Sequence, residues 1–184
     1  MTAPSAASFP EGRIRVAILT TGGTIEKTYD ERSGDLRNVR SVLDSILHEL
    51  RLPSVEIRQF SVMSKDSRDM VDADREAILS AVKAALFNND AVMIVHGTDT
   101  LAVTGEFLHA NLPGLARPIV LVGAMRPFEF RDTDAFQNVT EALIACRLAG
   151  PGVYVAMHSQ VLRFPGVVKD IDLGTFRKPK AAGD

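Results

Sequence analysis

Cysteine is nearly absent. Cys146 is the only one in 184 residues, which excludes an internal disulfide and a cysteine-based metal cluster and fits a cytoplasmic setting. Charge of one sign is also lacking: 21 Lys+Arg stand against 23 Asp+Glu with no basic block, so neither a nucleic acid nor an anionic membrane is indicated as a partner. The longest apolar runs, residues 91–95 and 119–122, fall far short of the roughly 20 residues needed to span a bilayer. Residues 1–12, rich in Ala, Ser and Pro, have no basic stretch followed by an apolar one; they read as a disordered leader, and residues 179–184 as a flexible tail. The sequence contains no G-x-S-x-G, G-x-x-x-x-G-K-[ST], G-x-G-x-x-G or H-E-x-x-H. A serine hydrolase, a P-loop NTPase, a dinucleotide enzyme and a zincin thereby lose their main support. The histidines, His48, His96, His109 and His158, are scattered without ligand spacing, so no metal is expected and each reads as a surface or packing residue.

What is present is 46% apolar residues, enough for one sizeable core and a single domain over residues 13–178. Residues 13–20 form a β-branched run ending at Gly22-Gly23, a strand feeding a tight turn. Residues 26–37 are polar, contain Gly34 and show no apolar period; they read as a mobile surface loop that could close as a lid. A helix is expected over residues 39–50, with Asn38 as its cap and Pro53 as its stop. Strands at 55–62, 91–95, 119–122 and 153–157 then alternate with helices at 72–87, 101–111 and 134–148. Such alternation predicts an α/β fold: a doubly wound, mostly parallel sheet with helices on both faces, flavodoxin-like or Rossmann-like.

Ligands of such sheets sit outside the carboxyl ends of the strands. The turns there are rich in hydroxyls: Thr20-Thr21-Gly22-Gly23-Thr24, Ser64-Lys65-Asp66-Ser67, His96-Gly97-Thr98-Asp99-Thr100 and Gly123-Ala124-Met125-Arg126-Pro127. Glycines beside threonines let backbone N–H groups approach a ligand, as an oxyanion hole or an anion nest requires. Taken singly, each turn is equally well read as an ordinary strand-to-helix connection with a cap.

Together, Thr21-Gly22-Gly23-Thr24-Ile25 and His96-Gly97-Thr98-Asp99-Thr100 resemble, in this order, the two signature segments of the bacterial-type L-asparaginases. The similarity extends to residues 122–127, to Asp134 followed by Asn138, and to residues 153–157, so that it covers about residues 13–169. The resemblance implies an L-asparagine amidohydrolase of a short-chain form lacking the family's C-terminal domain. Thr24 then matches the nucleophilic threonine, Thr98 the second threonine, Asp99 the carboxylate that binds the substrate α-amino group, and Lys169 the lysine paired with Thr98. Tyr29 resembles the tyrosine that partners the nucleophile in short-chain members. Ser67 matches the serine holding the α-carboxylate, with Asp66, Gly23 and Gly97 in the same substrate-binding turns and Arg68 adding positive charge. In longer members the second domain helps complete a neighbour's site, so a homo-oligomer, dimer or tetramer, is expected.

A threonine hydroxyl is a weak nucleophile and needs a proton path. Tyr29 could relay the proton from Thr24, or Lys169 could act through Thr98. Attack by Thr24 would give an acyl-enzyme ester and ammonia, and water would release L-aspartate; no metal or organic cofactor is needed. The competing readings are a catalytically silent amino-acid-binding module, an amidotransferase-related subunit, and a phosphate binder using Gly22-Gly23.

Overall fold

The computed structural model describes residues 12–26, 28–30, 35–37 and 42–179. The chain order is β1 (Ile14–Thr20), β2 (Thr28–Asp30), β3 (Asp35–Arg37), α1 (Val42–Glu49), β4 (Val55–Ser61), α2 (Asp72–Leu86), β5 (Ala91–Val95), α3 (Leu101–Asn111), β6 (Pro118–Val122), α4 (Ala135–Leu148), β7 (Gly152–Met157), β8 (Gln160–Arg163), β9 (Val168–Asp170) and β10 (Thr175–Arg177). Six strands form one sheet in the order β4-β1-β5-β6-β7-β8. All its pairings are parallel except that of β7 with β8. This is the doubly wound α/β class expected from the sequence.

The central strands β5 and β6 are buried at every position, which an apolar run without alternation requires when both sheet faces are covered. Helix α4 lies over β5, β6 and β7, while α2 touches β1, β5 and α3. Helix α2 begins where Asp74 turns its carboxylate back onto the Val71 N–H at 2.8 Å and onto Lys65 Nζ at 2.7 Å. The lysine bond, and then the backbone bond, hold the Asp74 carboxyl below its usual range. Helix α3 contains Gly105 because the Phe164 ring lies against it, where a β-carbon would collide with the ring. Burial pushes the Cys146 thiol up to about 12, so this cysteine is an inert core group. Among the described residues no helix is long and apolar enough to cross a membrane.

Two expectations need correction, and others fall outside the described residues. Residues 26–37 are not wholly a loop, since β2 and β3 pair antiparallel within them; runs of three residues are too short to show an apolar period. Residues 27 and 31–34, the middle of the expected lid, lie outside the described residues, as do Asn38, residues 1–11 and residues 180–184. Beyond residue 157 the antiparallel β8 and the separate β9–β10 ladder add elements that the alternation did not foretell.

Candidate active site

The turns at the carboxyl ends of β1, β4, β5 and β6 are pressed against one another, and glycine makes this possible. Gly22 and Gly23 hold φ of +97° and +102°, a region that a β-carbon strains. A β-carbon on Gly22 would lie 2.5 Å from the backbone of Lys65, and one on Gly23 would lie 2.6 Å from the Gly97 nitrogen. One on Gly97 would meet the Ser67 hydroxyl at 2.6 Å, and one on Gly123 the His96 carbonyl at 2.7 Å. Threonine hydroxyls stitch the same turns: Thr21 Oγ1 donates to the Val95 carbonyl at 2.9 Å, and Thr100 Oγ1 to the Ser67 carbonyl at 2.7 Å. Thr100 precedes α3 but makes no side-chain cap; its hydroxyl is spent on the neighbouring turn.

On this edge Lys169, carried by β9, donates from Nζ to Thr98 Oγ1 at 2.9 Å and to Asp99 Oδ1 at 2.6 Å. Thr98 is buried, whereas the Asp99 side chain is about half exposed at 48%. Ser67 is buried at the start of a single 3-10 turn, Ser67–Asp69. Arg68 leans back on Asp66, with bonds of 3.1 Å from Nε and Nη2, and its Nε lies 3.7 Å from Asp99 Oδ2. The bond to Asp66, and then the charges of Asp66 and Asp99, raise the Arg68 guanidinium above its ordinary value. Thr24 opens the 3-10 turn Thr24–Glu26 immediately after the packed Gly23 and is partly exposed. Tyr29 stands in β2 opposite Leu36, and its side chain lies outside the described part. The residues brought together by direct contact are therefore Thr98, Asp99 and Lys169, with Arg68 and Asp66 beside them and Ser67 under Gly97.

His96 is buried. Its Nδ1 lies 2.8 Å from the Gly97 carbonyl and its Nε2 lies 2.9 Å from Thr104 Oγ1. A carbonyl can only accept, so Nδ1 carries the proton and Nε2 accepts the Thr104 hydroxyl. Burial pulls the ring down to about 4. His96 thus braces the Gly97-Thr98 turn as a neutral ring.

A second network was not foreseen. Asp134 accepts the N–H groups of Met125 at 2.9 Å and Arg126 at 3.0 Å, the Asn138 amide at 2.8 Å and His158 Nε2 at 2.8 Å. Burial works to raise this carboxyl, but the bonds from Met125, Arg126 and His158 overcome it and leave it below its usual range. Asn138 also donates to the Gly123 carbonyl at 2.9 Å. The spacing of Asp134 and Asn138, four apart on a helix, hinted at a shared face; nothing in the sequence tied His158 to them.

Fold and site together define a doubly wound α/β domain with a hydroxyl-, carboxylate- and lysine-bearing edge at its strand ends. The chain belongs to the asparaginase family, through the family's "Asparaginase, N-terminal" domain, which matches residues 15–179. It is 30% identical over 161 residues to the L-asparaginase of Thermococcus kodakarensis, covering 88% of this chain and 49% of that one. The solved structure of the thermostable L-asparaginase from that organism superposes with a TM-score of 0.81 at 29% identity, covering 90% of this chain and 51% of that chain. The probable cytoplasmic L-asparaginase from Campylobacter jejuni gives 0.77 at 29% identity, over 91% of this chain and 54% of that chain. A subunit of the glutamyl-tRNA(Gln) amidotransferase from Aeropyrum pernix is 34% identical over 153 residues, 79% of this chain and 35% of that protein. The chain spans about half the length of the L-asparaginases it matches.

Proposed function

We propose that this chain is an amidohydrolase that cleaves the side-chain amide of L-asparagine, with Thr24 as nucleophile. The observation that carries this reading is the joint grip of Lys169 Nζ on Thr98 Oγ1 and Asp99 Oδ1, at 2.9 and 2.6 Å, beside the turn that presents Thr24. Lysine, hydroxyl and carboxylate at such distances make a proton-handling unit, and a packed pair of glycine turns supplies backbone N–H groups for an oxyanion.

In the proposed cycle Thr24 Oγ1 attacks the amide carbon and passes its proton away through Tyr29 or through Thr98 and Lys169. The tetrahedral oxyanion is held by N–H groups of the Gly23 and Thr98 turns. Collapse breaks the C–N bond, and the leaving nitrogen takes a proton and departs as ammonia. Water then attacks the Thr24 ester, releasing L-aspartate and returning the proton to Thr24. Asp99 binds the substrate α-ammonium, with Lys169 already orienting one of its oxygens. Ser67 holds the α-carboxylate, with Asp66, Gly23 and Gly97 shaping the same pocket, and Arg68 contributes positive charge at its mouth.

A homo-oligomer is part of the proposal, supported by exposed apolar side chains such as Phe60, Ile144, Leu148 and Val161. So is a cytoplasmic setting, supported by the lone buried cysteine. A second reading, an amidotransferase-related subunit that supplies ammonia to another centre, is favoured by the likeness to the Aeropyrum pernix protein. The purified chain, assayed for ammonia with L-asparagine, L-glutamine and D-asparagine, separates these readings. Fast release from L-asparagine supports the proposal. Turnover confined to L-glutamine favours the amidotransferase reading, and L-asparagine binding without turnover would make the chain a silent binding module.

A further inference from the structure

β7 and β8 are joined by a two-residue turn, His158-Ser159, since Met157 pairs with Gln160. Both residues have positive φ, 54° and 62°. Turns of this kind favour Asn-Gly, because a β-carbon is strained in that region. Helix α4 holds the turn through bonds that any residue could receive: the His158 N–H donates to Asn138 Oδ1 at 3.1 Å, and the Ser159 N–H to the Glu141 carboxylate at 2.9 Å. The imidazole does something else. Its Nε2 lies 2.8 Å from Asp134 Oδ2 and its Nδ1 lies 2.9 Å from Thr175 Oγ1. The carboxylate can only accept, so Nε2 donates to it. Nδ1 accepts the Thr175 hydroxyl when the ring is neutral and donates to it when the ring is charged, so the bridge persists in either state.

Thr175 opens β10, which pairs antiparallel with β9 so that Phe176 stands opposite Lys169. The β9–β10 ladder is separate from the main sheet, and it carries the lysine that grips Thr98 and Asp99. At the other end of the bridge, Asp134 fixes the N–H groups of the turn leaving β6. We propose that His158 is a positioning residue: by linking Asp134 to Thr175 it fixes the β9–β10 hairpin so that Lys169 stays within hydrogen-bond reach of Thr98. Phe176, directly opposite Lys169 and 1% exposed within the core, keeps the hairpin docked, so loss of the bridge at Thr175 shifts Lys169 without unfolding the strand pair. The importance of this position for turnover rests on the role proposed for Lys169.

The test uses His158→Gly, Thr175→Val and Thr175→Ser in the full chain. Glycine suits the positive φ of the turn, so His158→Gly removes the ring and relieves backbone strain at once, and its melting temperature should hold. Lys169 is probed with an amine-acylating reagent and peptide mass spectrometry, normalised to the exposed Lys83. The expected result is several-fold faster labelling of Lys169 in His158→Gly and Thr175→Val, with Thr175→Ser at the wild-type rate. A displacement of Lys169 of about 1 Å should lower kcat by up to about 100-fold with KM little changed. In a Lys169→Ala background the same changes should cost little further activity. Unchanged labelling in both bridge variants overturns the proposal, whatever their activity. If the wild-type chain releases no ammonia, the functional reading fails while the labelling still decides whether His158 positions Lys169.

Discussion

Replacing Gly23 by alanine should separate the two halves of the proposed site. Gly23 has φ of +102°, and an added β-carbon would stand 2.6 Å from the Gly97 nitrogen, 2.7 Å from its Cα and 3.0 Å from the His96 carbonyl carbon. All three atoms belong to the backbone, so no side chain can swing aside. Ordinary contact begins near 3.4 Å, so the turn bearing Thr24 and the turn bearing Thr98 must part by about 0.8 Å. A misplacement of about that size costs on the order of 100-fold in rate when reacting groups must meet. The left-handed conformation adds about 1–2 kcal/mol of destabilisation, or a fall in Tm of roughly 2–8 °C for a domain of this size. Gly114 is the control: its φ is +71° and a β-carbon there meets nothing within 4 Å, so Gly114→Ala should pay the backbone cost and keep its activity. Ammonia release and thermal melts of both variants give the comparison. Gly23→Ala with wild-type kcat would refute the claim that close packing of these turns sets the geometry of the site.

Lys169→Ala and Thr98→Ala should each lower turnover at least about 100-fold, and the double variant should be little worse than either, because groups acting as a unit are not additive; losses that multiply would argue against a shared proton path. L-asparagine should be preferred over L-glutamine by about 10–200-fold in kcat/KM, since one methylene displaces the amide once Ser67 and Asp99 fix the α-groups; equal values would show a wider pocket. Folding lowers the proton affinity of His96 to about 4 from 6.5, so between these values the unfolded chain binds the extra proton. The stability this ring contributes is full above about pH 6.5 and is lost as pH falls toward 4, by at most about 1.4 kcal/mol per pH unit. Denaturant melts at pH 5 and 7 should show this fall in the wild type and a smaller one in His96→Gln.

The sheet was legible because its strands announce themselves by burial: residues 14–20, 91–95 and 118–122 are largely apolar, buried runs, and runs of that kind between helical periods admit few topologies. The candidate site was suggested by glycines and threonines that cluster at strand ends, where the structure places Thr98 and Asp99 within reach of Lys169. Lys169 could be assigned from the resemblance alone, because it lies 71 residues from Thr98 on a hairpin whose short strands leave no periodic trace. Arg68 is turned toward Asp66 as well as toward the proposed mouth, a local ion pair that composition cannot distinguish from a ligand contact. His158 was invisible for a different reason. It joins α4, the β7–β8 turn and β10, three elements apart in sequence, through a ring whose partners emerge only when the chain has folded.

The central claim is that Thr24 is the nucleophile of an asparagine amidohydrolase. Ammonia release from L-asparagine, measured side by side for the wild-type chain and for Thr24→Ala, tests it most directly. Thr24 follows a turn fixed by Gly22 and Gly23 and is only partly buried, so its replacement should leave the melting temperature within a few degrees, on the order of 1 kcal/mol. Turnover should disappear while L-aspartate still binds. A folded Thr24→Ala protein that releases ammonia at the wild-type rate would contradict the account.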